Sequence, residues 1–166
     1  MITITSGSDY KIDYEIDYEI ANIYFPIGES FYFVNGIKYH MDALSYYSTN
    51  SAMVPLRYLI ESINSVVKSS DQLSIQWNNT TKTATIYINS LENLKFTAGE
   101  SNAFLNDSPY PMLTQDNQLA TAEIKGKIGH ERIYIPFKSF ITDMSFPFRY
   151  TNTESQIAIY FTTIQS

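Results

Sequence analysis

The phrase IGESFYFVNG at residues 27–36 returns 71 positions later as AGESNAFLND at residues 98–107. Gly28, Glu29, Ser30, Phe33 and Asn35 fall on Gly99, Glu100, Ser101, Phe104 and Asn106, and the same spacing carries Tyr39 onto Tyr110 and Met41 onto Met112. Asn35-Gly36 lies between two apolar-alternating runs, so this stretch reads as a hairpin with a tight turn. Asn106-Asp107 is a weaker version of the same turn chemistry.

Two further matches follow in the same order. VPLRYLIESI (54–63) is echoed 81 positions on by IPFKSFITDM (135–144). Pro55 and Pro136 suit a first helical turn, where no backbone N–H is required. Leu56, Leu59, Ile60 and Ile63 stand at i, i+3, i+4 and i+7, as do Phe137, Phe140, Ile141 and Met144. Each segment therefore reads as an amphipathic helix with one buried stripe. The third match has a spacing of 73: Leu73, Ile75 and Trp77 alternate with polar residues, as do Phe146, Phe148 and Tyr150. A polar turn follows, Asn78 to Lys82 or Thr151 to Ser155. Ala84, Ile86 and Ile88 then alternate, matched by Ile157, Ile159 and Phe161, which makes a second hairpin.

The reading is an α+β chain of duplicated hairpin–helix–hairpin units. Each is expected to be a small antiparallel sheet packed on one short helix. A long strand precedes them. In DYKIDYEIDYEI (9–20), Tyr10, Ile12, Tyr14, Ile16, Tyr18 and Ile20 alternate strictly with charged residues, which places them on one strand face. The strand is expected from about Tyr10 to Tyr24. Its apolar face must cover something, and strand addition to a neighbouring subunit is favoured over packing within the chain. The expected divisions are 1–26, 27–95 and 96–166.

Composition bounds the function. The 166 residues include 14 Tyr, 10 Phe and no Cys, so there is no disulfide framework and no thiolate metal site. Net charge is −6, and residues 9–20 supply −4 of it. An acidic chain without a basic patch argues against nucleic acid or anionic lipid. No apolar run is long enough for membrane insertion. No basic region followed by an apolar run opens the chain. The expected location is thus extracellular or cell surface if a leader has been removed, and otherwise a virion or a cytoplasmically assembled particle.

The runs FVNGIKYHMD, VPLRYLIESI and IQWNNTTKTATIYI resemble the copper amine oxidase N-terminal-like domain, also called a stalk domain. Asn35, Gly36, Asp42, Val54, Pro55, Leu56, Arg57, Glu61 and Trp77 stand at its pattern positions. The resemblance covers roughly residues 27–161 in two copies. In the second, Asp107, Lys138 and Tyr150 stand where the first has Gly36, Arg57 and Trp77. The resemblance implies a non-catalytic module of the kind that recurs, often in tandem, in surface and wall-associated proteins of Gram-positive bacteria. Residues 1–26 lie outside it.

The residues themselves offer little catalytic chemistry. His40 and His130 are the only histidines and sit in different copies, so no imidazole copper or zinc site is expected, and no cofactor. No Gly-x-Ser-x-Gly elbow appears. Asp13, Glu15, Asp17 and Glu19 read as a solvated strand face that resists edge pairing. Arg57 and Glu61 are spaced for an i, i+4 ion pair. Trp77, on the apolar side of its strand with Leu73 and Ile75, reads as a core residue, with a sugar-stacking residue as the alternative. The loops 43–52, with Tyr46 and Tyr47, and 114–132 are the places to look for binding. Tyr46, Tyr47, Tyr10, Tyr14 and Tyr18 are the candidate interaction residues. The expected function is a structural or interaction module, not an enzyme, with a protein partner or self-assembly. A wall-glycan-binding module and a phage or tail-like structural component are the alternatives.

Overall fold

The computed structural model describes residues 16–48, 50–67, 72–88, 92–126, 131–141, 148–153 and 155–165. Strand β1 (Ile16–Pro26) leads into the hairpin of β2 (Phe31–Val34) and β3 (Ile37–His40). Its turn is Asn35-Gly36, with φ of 50° and 84°, the left-handed pair such a turn demands. Strands β4 (Tyr46–Ser48) and β5 (Ser51–Pro55) follow, and β5 runs directly into helix α1 (Leu56–Asn64). Next come β6 (Ser74–Asn78), β7 (Thr83–Tyr87), β8 (Asn93–Thr97), β9 (Asn102–Leu105) and β10 (Ser108–Pro111). The remainder is β11 (Glu123–Lys125), β12 (Arg132–Pro136), α2 (Phe137–Ile141), β13 (Phe148–Asn152) and β14 (Gln156–Gln165).

Among the described residues the chain is mostly sheet with two short helices, and the three sheets are antiparallel, which fits the α+β expectation broadly. One outer sheet runs β13-β14-β1-β2-β3, and the other runs β6-β7-β8-β9-β10. The central sheet runs β11-β12-β5-β4. Both helices pack on β5 and β12. All five residues of β5 are buried, so this strand is covered on both faces.

Strand pairing corrects the expectation that each unit is a self-contained sheet on its own helix. The hairpin of β13 and β14, near the C-terminus, joins β1, β2 and β3 rather than the strands nearer to it in sequence. Ile27 N–H donates to Ser155 O (2.9 Å), and Ala98 N–H donates to Lys82 O (3.0 Å), each reaching across the expected division. That division, between residues 95 and 96, falls inside β8. The reason is burial. A three-stranded edge such as β1-β2-β3 leaves the apolar side of β1 half covered, and β14 completes it.

The long N-terminal strand is likewise internal where it is described. Over Ile16–Pro26 it pairs with β14 along its length and with β2 at Ile23 and Tyr24. Ala21, Ile23 and Phe25 point into the core of this chain. The expected strand addition to a neighbour is therefore replaced, for these residues, by pairing within the chain. Tyr10 and Tyr14 lie outside the described residues, and only the backbone is described at Tyr18.

The apolar stripe of α1 is buried as read: Leu56, Leu59, Ile60 and Ile63. Phe137 is also fully buried, while Met144 lies outside the described residues. The second hairpin turns differ from expectation. Asn78 pairs with Thr83, whereas Asn152, read into the second turn, is a strand residue of β13 paired with Ile157. Two segments read as loops contain strand. Tyr46 and Tyr47 sit on β4, and the 114–132 connection contributes β11 to the central sheet.

Candidate functional site

A cleft of 770 Å³ opens between α1, β6 and the β11–β12 hairpin. Its walls include Arg57, Ile60 and Glu61 from the helix, Ile75 and Trp77 from β6, and Ile124, Arg132 and Ile133 from the central sheet. Trp77 is 44% exposed, which overturns the core reading from the sequence. The alternation was read correctly: Ile75 and Trp77 stand opposite Ile86 and Ala84, both fully buried. However, β6 is the outermost strand of its sheet. Helix α1 packs on β5 and β12 and meets β6 across the cleft, where Ile75 and Trp77 stay open to solvent. No local signal in the sequence distinguishes an edge strand from a central one.

The charged side chains around the cleft are matched pairwise. Arg57 Nε donates to Glu61 Oε2 at 3.0 Å, and this bond holds the guanidinium above its ordinary range. Lys82 Nζ lies 3.8 Å from Glu131 and donates to Asn79 Oδ1 at 2.8 Å. Arg132 donates through Nε (3.1 Å) and Nη2 to Asp42. The Tyr58 hydroxyl donates to the same carboxylate at 2.8 Å. The Tyr58 hydroxyl first, and the Arg132 guanidinium after it, hold the Asp42 carboxyl below the ordinary carboxylate range. Asp42 and Arg132 are 90 residues apart, and sequence reasoning missed their pairing.

The two tyrosines read as an exposed platform are half-buried and engaged within the chain. Tyr46 donates its hydroxyl to Glu123, packs its ring 5.0 Å from that of Tyr134, and lies under Lys125 Nζ at 4.9 Å. Burial, with Glu123 adding to it, pushes the Tyr46 hydroxyl well above the ordinary phenol range. Tyr47 donates to Gln115 Oε1 at 3.5 Å. His40 is exposed on β3, and His130 lies outside the described residues. Among the described residues no three His, Cys, Asp or Glu side chains converge as metal ligands. The donors among the described residues do not fit a copper centre.

The domain is mostly antiparallel, and its cleft is walled by an indole and by internally paired charges. Residues 33–159 match the copper amine oxidase N-terminal domain, and the chain belongs to that family. In copper amine oxidases this is a non-catalytic accessory domain. No curated protein and no solved structure matches the chain.

Proposed function

We propose that this chain is a non-catalytic structural and interaction module of a bacterial cell-surface or extracellular assembly, built from two diverged stalk-type copies that interlock. The observation that carries the reading is the state of the cleft. Its acids are bound to the chain's own cations, Glu61 to Arg57 and Glu131 to Lys82. A general base or nucleophile needs a group poised toward the substrate, whereas these groups are held toward one another.

Support for two copies comes from matching geometry. Met41 N–H donates to Ser30 O and Met112 N–H to Ser101 O, both at 2.8 Å. Asn35 Oδ1 accepts from Asn22 N–H at 2.9 Å, and Asn106 Oδ1 accepts from Asn93 N–H at 3.0 Å. Gly28 and Gly99 adopt φ of 90° and 84°, where a side chain would be strained. The two outer sheets also share one strand order when β1-β2-β3 is laid on β8-β9-β10 and β13-β14 on β6-β7. Interlocking suits a module that must transmit position without deforming, because neither half can open without stripping strands from both outer sheets.

Fractionation of the producing cells, with amine-oxidation assays on the purified chain with added copper, tests the reading. The expected result is association with the surface or an extracellular particle and no turnover. Amine turnover, or a wholly unassociated cytosolic protein, would contradict it.

A further inference from the structure

We infer that the Trp77 cleft is a binding site for a neutral pyranose oligosaccharide, with one sugar face stacked on the indole. The inference rests on the interaction-module reading and names the ligand class this cleft takes.

Three properties of the cleft lead there. The first is size. At 770 Å³ it lies within the range of about 300–1,000 Å³ usual for small-ligand sites. A folded protein partner would instead need a patch of roughly 800 Å². The second is the wall. Trp77 and Ile75 present apolar surface on the core-facing side of β6, yet are 44% and 36% exposed. An indole offers a flat apolar face beside a polar N–H, and it costs free energy to leave that face in water.

The third property is charge. Arg57, Lys82 and Arg132 each have a carboxylate partner, in Glu61, Glu131 and Asp42. A phosphate or other anion would meet a carboxylate beside each of these cations, and a cation would meet a guanidinium or ammonium beside each acid, so neither finds a net opposite charge. A neutral ligand meets no such opposition. Around the indole the rim offers donors on Arg57, Lys82 and Arg132 and acceptors on Glu61 and Glu131. Sugar hydroxyls both donate and accept, and the axial C–H faces of a pyranose are apolar. Of the common neutral ligands, a pyranose chain meets the stacking wall and the mixed rim together. The competing occupant is an extended peptide added to the outer edge of β6.

Trp77 is the only tryptophan in the chain, so its emission reports on the cleft alone. The full chain is titrated with chitotetraose and with cellotetraose. One of them should shift the emission to shorter wavelength and protect the indole from acrylamide. Calorimetry of Trp77→Ala should show affinity for that sugar reduced about tenfold, the scale of one lost stacking contact. Trp77→Phe should retain most of it. If Trp77→Ala fails to fold, the quenching measurement on the unaltered chain and the Phe variant still decide. Emission unmoved by both sugars at millimolar concentration overturns the inference. So does an affinity indifferent to Trp77→Ala. So does protection of the indole by a synthetic extended peptide where both sugars give none. Any of these leaves the module reading intact, since that is read from fractionation and amine turnover.

Discussion

Val54 stands opposite Ile135 in the antiparallel pair of β5 and β12, and neither side chain reaches solvent. Each is the residue before the proline that precedes a helix, so the two most similar helix openings in the chain meet at the centre of the middle sheet. Ile135→Ala should destabilise by about 2–5 kcal/mol through the cavity it leaves. Because the two residues share a contact, Val54→Ala and Ile135→Ala should be non-additive, with a coupling of roughly 0.5–3 kcal/mol in a denaturant double-mutant cycle. Strict additivity would mean that the strands do not pack at this point.

Deleting residues 1–24 removes most of β1, the middle strand of its five-stranded sheet. The truncated chain should lose cooperative unfolding and the dispersed amide spectrum of a folded domain. A folded, monomeric product would instead show that the strand is dispensable to this chain.

Those two expectations show where the sequence was informative. The turn at Asn35-Gly36, the stripe of α1 and the alternation of Ala84 and Ile86 follow from local chemistry, and each stands in the structure where it was read. The pairing of Ile23 with Ile159, and the contact of Asp42 with Arg132, join residues too distant for any local pattern to report. Trp77 failed for a related reason. Period-two alternation assigns a face, but only the complete strand order says whether that face is covered.

Acid should probe the Asp42 network. Its carboxyl is depressed by the Tyr58 hydroxyl and then by Arg132. A depressed carboxyl adds stability that is full above its unfolded value of 3.8 and is lost as pH falls through the lower folded value. The side chain is 50% exposed, so water screens the pair and the contribution is at most about 1 kcal/mol. Asp42→Asn should remove that much at neutral pH and flatten the acid limb of the stability curve. Equal acid limbs in the two proteins would count against the network.

Alkali should probe Tyr46. Burial and Glu123 raise its hydroxyl above the ordinary value of 10.0. The neutral phenol therefore adds stability that is full below about pH 10 and is lost as pH rises toward the folded value. Tyr46→Phe should cost about 0.5–1.5 kcal/mol at neutral pH by leaving Glu123 without this donor. It should also soften the alkaline decline, followed by thermal unfolding across pH 9 to 12. Parallel decline in both proteins would assign the alkaline limb to other groups.

The functional account depends on the cleft being open with Trp77 as its wall. Acrylamide quenching of the sole tryptophan, with its emission maximum, tests this most directly. An indole 44% exposed at a cleft should emit at intermediate to long wavelength and be readily quenched in the native chain. A short-wavelength emission shielded from acrylamide would return Trp77 to the core and contradict the account.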